Sequence, residues 1–232
     1  MPCYLAALRP RDADHARRVL EALGEHVAVI DGRCCGQPAF NSGYREEAHR
    51  VGRELLRDAR NVDLVVTPSG SCTAMVRHYL PGLFEGARNT GASAIAGRFR
   101  EFCQYVAAHP AIERLGMRLD GVVAYHDSCH GRRELGITSD ALSLLARVEG
   151  LEVRRLTHED ECCGFGGTFS AKLPEVAAAI VAAKLDDIRA TGAHVVVSAD
   201  LSCLAHIEGA ARGRGEAIET WTIAELLARA LP

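Results

Sequence analysis

The sequence predicts an α/β fold made of two pseudo-symmetric halves, each with a mainly parallel sheet. Three observations predict it. Short apolar, β-branched runs alternate with stretches of helical periodicity, the pattern of parallel strands joined by helices. The doublet Cys-Cys-Gly occurs twice, at Cys34-Cys35-Gly36 and Cys162-Cys163-Gly164. Equivalent cysteines also keep a nearly constant spacing: 126 from Cys3 to Cys129, 128 from Cys34 to Cys162, and 131 from Cys72 to Cys203. A fixed period of this kind is the mark of an internal duplication. The halves divide as residues 1–115 and 116–232, packed as one globular unit.

In chain order, Ala16, Val19, Leu20 and Leu23 repeat at helical spacing, so Arg11 to Gly24 is read as a helix stopped by glycine. Val27 to Ile30 is a short apolar run, hence a strand leading to the first doublet. Asn41 caps a helix running to about Arg60, with Ala48, Val51, Leu55 and Leu56 as its apolar face. Val62 to Thr67 is a strand, Pro68 to Ser71 a turn, and Cys72 follows in the loop. Gly82 to Arg98 has little periodicity, and Phe99 to Ala108 reads as a helix ended by His109-Pro110. The pattern then restarts. Val122 to His126 is a strand, Asp127 to Gly131 its loop, Ser139 to Val148 a helix, and Glu152 to Leu156 a strand leading to the second doublet. Leu173 to Thr191 is a long helix, His194 to Ser198 a strand, and Cys203 follows a short loop. A helix, a strand over Ile218 to Thr222 and a last helix to Leu231 close the chain.

Composition narrows the function. With 48% hydrophobic and 25% charged residues in 232, the chain can bury a core without covalent staples. The net charge is −3, and aromatics are 5% with no basic stripe, which argues against nucleic acid as a partner. The start, MPCYLAALRPRDAD, lacks a basic segment followed by an apolar run, and no stretch reaches the ~18 apolar residues of a membrane span. The expectation is a cytoplasmic protein without an integral membrane segment. In that reducing setting nine cysteines point to metal or catalysis before disulfides.

Eight of the nine cysteines belong to the doubled pattern: Cys3, Cys34, Cys35 and Cys72 in one set, and Cys129, Cys162, Cys163 and Cys203 in the other. They lie just after strands in both halves, where open α/β sheets place their ligand sites, except Cys3, which has no strand before it and leaves the first site less fully framed. Zinc sites usually separate paired cysteines by two to four residues. Adjacent thiolates suit a multi-iron cluster better, because neighbours can bind different metal corners. Four cysteines per set match the ligand count of an ordinary iron–sulfur cluster. One or two 4Fe–4S clusters are therefore expected, with zinc as the alternative cofactor. The second set is the stronger candidate. Cys103, inside a helix, reads as a core residue.

The stretches CCGQPAFNSGYREEA, TPSGSCTAMVRHYLPGLF, YHDSCHGRRELGI, ECCGFGGTFSAKLPE and VVVSADLSCLAHI resemble the double-CCG cysteine-rich domain of heterodisulfide reductase and of glycolate oxidase iron–sulfur subunits. Among these the chain is most similar to the lactate-utilization protein A family. The resemblance implies an iron–sulfur electron-transfer subunit of a complex that oxidises L-lactate to pyruvate. Such a subunit works with other iron–sulfur and accessory subunits, without complete activity alone, and a small 2-hydroxy acid is a candidate ligand. Heterodisulfide reductase relatives end each motif in C-x-x-C. Here Met75 and His206 stand where the second cysteine would be, which favours ordinary four-cysteine ligation and leaves His206 as a candidate fifth ligand.

Further residues have candidate roles. His126 and His130 can line the pocket and give hydrogen bonds to a cluster. Gly164 to Thr168 can wrap a cluster with backbone N–H groups. Arg132 and Arg133 can bind a carboxylate, and Glu159 to Glu161 can form a docking patch. Two other readings compete with electron transfer: a zinc-dependent assembly module, and a thiol–disulfide redox protein.

Overall fold

The computed structural model describes residue 7 and residues 9–30, 33–84 and 91–232. Cys3 lies outside the described residues. The fold is α/β with two separate parallel sheets. The first half supplies α1 (Arg11–Ala22), α2 (Gln37–Asn41), α3 (Arg45–Asp58), β1 (Val65–Thr67), α4 (Gly70–Ala74), α5 (Ala92–Ala96), β2 (Phe99–Glu101) and α6 (Phe102–Ala108). The second supplies β3 (Arg118–Tyr125), α7 (Thr138–Ala146), β4 (Glu149–Arg155), α8 (Thr168–Lys172), α9 (Pro174–Ala190), β5 (Val195–Ser198), α10 (Leu201–Gly213), β6 (Glu219–Thr222) and α11 (Ile223–Ala230).

β1 and β2 pair over three residues, Val65 with Phe99 through Thr67 with Glu101. The larger sheet has the order β4-β3-β5-β6, and every pair is parallel. From β3 the chain moves outward to β4, then returns past β3 to β5. The strand order therefore reverses between β3 and β5, and that is where an open α/β sheet binds its ligand.

Alternate residues of the central strands supply two cores, as a period of two requires. Val123, Tyr125 and Val197 face a core with Val19, Leu20, Phe102, Val106, Leu144, Leu145, Leu226 and Leu227. Ala124 and Val196 face the other way, toward Leu185, Ile188, Leu204, Ile207 and two of the cysteines, Cys163 and Cys203. Helices thus cover both faces, which explains the continuous burial at the ends of β3 and β5. α1 and α6 belong to the first half by sequence but pack on the larger sheet. A third core, with Leu56, Met75, Leu80, Phe84 and Phe99, holds Cys35 and Cys72.

Several local expectations are corrected. Val27 to Ile30 is not a strand in the structure; Val29 stays about half exposed, so the run is not apolar by burial. Asn41 ends α2 instead of capping α3, whose first residue follows Tyr44. Phe99 to Ala108 is divided: its first three residues form β2, and Glu101 then caps α6 by accepting from the Cys103 and Gln104 N–H groups. Cys72 and Cys203 are not in loops but in the first turns of α4 and α10. Among the described residues no helix is long and apolar enough to cross a membrane.

Candidate metal centre

The doublets are built by one device used twice. Gly36 and Gly164 both have φ of 87°, the left-handed region that glycine enters at little cost. Each glycine also lies against the fourth residue of a following helix. A Cβ on Gly36 would meet the Ala48 carbonyl oxygen of α3 at 3.0 Å, and one on Gly164 would meet that of Ala177 of α9 at 2.8 Å. The turn directs glycine N–H groups at sulfur. Gly36 N donates to Cys34 Sγ at 3.4 Å and Gly164 N to Cys162 Sγ at 3.3 Å. Phe165 N donates to Cys163 Sγ at 3.5 Å. N–H groups aimed at sulfur stabilise the thiolate form.

The remaining cysteines come from capped helices. Ser69 caps α4 by accepting from Cys72 N. Asp200 caps α10 through Oδ1, which accepts from Ser202 N and Ser202 Oγ, while its Oδ2 accepts from Ser71 N in the other half at 2.7 Å. The Asp200 carboxylate thus ties the two half-sites together. Gln37 makes a second tie. Its Nε2 donates to Ser71 O at 3.4 Å and lies 3.2 Å from His130 Nε2. The other ring nitrogen of His130, Nδ1, faces Cys129 Sγ at 3.6 Å. Gly70 and Gly131 let the halves approach: a Cβ on Gly70 would meet Gly131 N at 3.3 Å.

The outcome is one cleft lined by seven cysteines: Cys34, Cys35 and Cys72 from one half, and Cys129, Cys162, Cys163 and Cys203 from the other. All seven are thiols outside any disulfide. Cys35 Sγ lies 3.6 Å from Cys72 Sγ. In the second half, thiol contacts run from Cys129 to Cys162 to Cys163 to Cys203. Cys103 is fully buried in the core away from this cleft, as expected.

Crowded thiols resist ionising together. The Cys34 and Cys72 thiols and burial push Cys35 far above the usual thiol range. Cys162, then Cys203 and burial, push Cys163 up. Cys162, then burial, does the same to Cys129. Cys162 is pulled down, because Cys129 and Cys163 donate to it, joined by Gly164 N. Thiols packed this closely can all become thiolates only around a cation, and a metal centre supplies one. The donor set therefore fits a sulfur-ligated metal or cluster.

Buried polar residues surround the second set. His126, directly after β3, is 1% exposed, and burial followed by the charge of Lys184 pushes its pKa down to about 4. Its imidazole is accordingly neutral. Lys184 is itself buried and donates to His158 O at 2.7 Å. Asp187 accepts from Thr157 N and His158 N, both at 2.9 Å. These two α9 side chains anchor the segment that leads into Cys162. Asp187, Lys184, Gln37 and Asp200 were not anticipated from sequence. Only Asp200 left a signal there, as an Asp in the N-cap position of a helix.

The other candidates are placed as follows. His206 stacks near Phe165 with ring centroids 5.9 Å apart, and burial lowers its pKa. Arg132 and Arg133 both donate to the Asp160 carbonyl. The acidic turn is part of that contact. Gly166 and Gly167 line the cleft.

Comparison with known proteins agrees with the doubled design. A family model described as a cysteine-rich domain, CCG, matches residues 1–77 and 123–208. Lactate utilization protein A of Geobacillus sp. (strain WCH70) is 39% identical over 90% of this chain and 89% of its own. Lactate utilization protein A 2 of Bacillus cereus (strain Q1) is 37% identical over 99% of this chain and 96% of its own. Lactate utilization protein A 1 of Bacillus anthracis (strain CDC 684 / NRRL 3495) is 38% identical with the same coverage. Among solved structures, an aspartate racemase homologue from Pyrococcus horikoshii OT3 overlays with a TM-score of 0.32 at 13% identity, over 95% of this chain and 92% of that one, too low a score to carry weight. With near-full-length identity of this order and two copies of the cysteine-rich domain, the chain belongs to the lactate utilization protein A family.

Proposed function

We propose that this chain is an iron–sulfur electron-transfer subunit that serves lactate utilization. It acts with other iron–sulfur and accessory subunits in the cytoplasm and lacks complete activity alone. One observation carries the reading: seven cysteine thiols from two repeats converge on one cleft. The repeats are taken as residues 1–115 and 116–232, and the two separate family matches support that division. The names of the relatives supply the lactate connection.

Cys129, Cys162, Cys163 and Cys203 would hold a cluster in the second half. Cys34, Cys35 and Cys72, with Cys3, would hold one in the first. A bound cluster accepts and releases single electrons. The chain's own residues set the conditions. Gly36, Gly164 and Phe165 direct N–H groups at sulfur, a contact that tunes reduction potential. Asp200 and Gln37 hold the two half-sites in register.

A zinc-binding assembly module is the second reading, and one distance favours it. Two thiolates about 2.3 Å from one tetrahedral ion lie roughly 3.8 Å apart, close to the 3.6 Å between Cys35 and Cys72. Anaerobic reconstitution with iron and sulfide separates the two. The electron-transfer reading expects a brown protein with a reducible EPR signal. A colourless protein that retains zinc alone would replace it with the assembly module.

A further inference from the structure

His126 sits at the strand-order reversal, where its N–H donates to Val197 O of β5 at 2.9 Å. Its backbone position is therefore fixed by the β3–β5 ladder. Neither ring nitrogen has a hydrogen-bond partner, although the side chain is buried. Leaving a buried polar group unpaired is costly, and an orphan of this kind requires an explanation. The surroundings supply one. A ring nitrogen of His126, Cys163 Sγ and Cys203 Sγ lie within 4.8 Å of one another, and all three residues are buried. The other two histidines nearby are differently placed. His130 is held by Gln37 against Cys129, and His206 has one orphaned ring nitrogen, Nε2, where His126 has two, and it is absent from the cluster that His126 forms with Cys163 and Cys203.

We propose that His126 is a direct nitrogen ligand of the centre held by the second cysteine set, sharing its buried face with Cys163 and Cys203. This rests on the metal-centre reading above. Cys129 and Cys162, which are only partly buried, then form the outer face toward the cleft. Bound beside the four thiolates, a neutral imidazole adds a donor without adding negative charge. Among the described residues no histidine nitrogen lies within 4.8 Å of both Cys35 Sγ and Cys72 Sγ.

The test uses the full chain, prepared anaerobically with 15N-labelled or unlabelled histidine, reconstituted with iron and sulfide, and reduced. Pulsed EPR should show a strong nitrogen coupling that changes from the 14N to the 15N pattern with the label. It should vanish in His126→Ala and persist in His130→Ala and His206→Ala. The labelled wild-type chain needs no variant, so a poorly folding His126→Ala leaves the test intact. In parallel, Co2+ alone is titrated into the metal-free chain. A nitrogen ligand makes His126→Ala lose at least about tenfold in affinity for one Co2+. A centre that forms with no strong histidine coupling overturns the inference and leaves the metal-centre reading standing. Failure of the chain to bind either iron and sulfide or Co2+ overturns both.

Discussion

The two cysteine sets share their local chemistry and differ in what frames it. In both, a Cys-Cys-Gly turn at φ 87° rests on the fourth residue of a helix, and a capped helix presents a third cysteine in its first turn. The first set is backed by a two-stranded sheet whose strands have three residues each. The second is backed by four parallel strands and sits where their order reverses. Around the second set lie buried His126, Asp127, Ser128, Lys184, Asp187 and Asp200. Beside Cys72 of the first, the buried polar residues among those described are the uncharged Ser69, Ser71 and Thr73. The difference teaches that the doublet is a portable turn, while the charge environment comes from the sheet and helices that carry it.

The largest effect expected from breaking this comparison is at the glycines. Gly164→Ala forces a side chain into the left-handed region, at about 1–2 kcal/mol. It also drives a Cβ to 2.8 Å from Ala177 O and 3.1 Å from Ile180, and overpacking adds roughly 1–3 kcal/mol. Gly36→Ala meets only the Ala48 backbone, nearest at 3.0 Å. Chemical denaturation should show both variants destabilised, Gly164→Ala the more. Equal losses would mean that the second turn is no more tightly framed than the first.

The caps come next. Asp200→Ala removes the α10 cap and the cross-half bond to Ser71 N at once. Each buried hydrogen bond to a charged group contributes about 1.5–3 kcal/mol. Ser69→Ala removes a single cap, worth about 1 kcal/mol. Thermal melts should rank Asp200→Ala well below Ser69→Ala. A reversed order would remove Asp200 as the tie between the half-sites.

A smaller effect is in pH dependence. Burial pushes the Glu101 carboxyl at the end of β2 from 4.5 up to about 8, against the pull of the Cys103 and Gln104 N–H groups. The folded state therefore holds this proton more tightly than the unfolded state. The stabilisation is fully present below about pH 4.5 and is lost as pH rises through about 8. Glu101→Gln, which can still accept both bonds, should flatten the stability profile over that window. An unchanged slope would show that Glu101 does not titrate there.

Sequence made the repeated turn legible because its requirements are local: two cysteines, one glycine and a helix to follow. The helices of the second half were legible for the same reason, since Leu144, Leu145, Leu185 and Ile188 recur at helical spacing. Val27 to Ile30 misled because an apolar run does not reveal whether a neighbouring strand exists to pair with it. Phe99 to Ala108 misled because a buried Glu101 ends a strand and caps a helix in the same step. Lys184 and Asp187 were invisible because their roles depend on contacts with residues some thirty positions away. Gln37 was invisible because its partner His130 lies in the other half.

The central claim is that the cysteine sets hold redox-active iron–sulfur centres. Quantifying iron and acid-labile sulfide in anaerobically purified protein tests it most directly, with Cys163→Ser and Cys35→Ser measured beside the parent chain. The expected result is iron and sulfide in equal amounts, with Cys163→Ser depleting the second centre and sparing the first. Protein purified without iron or sulfide, and unchanged by either substitution, would contradict it.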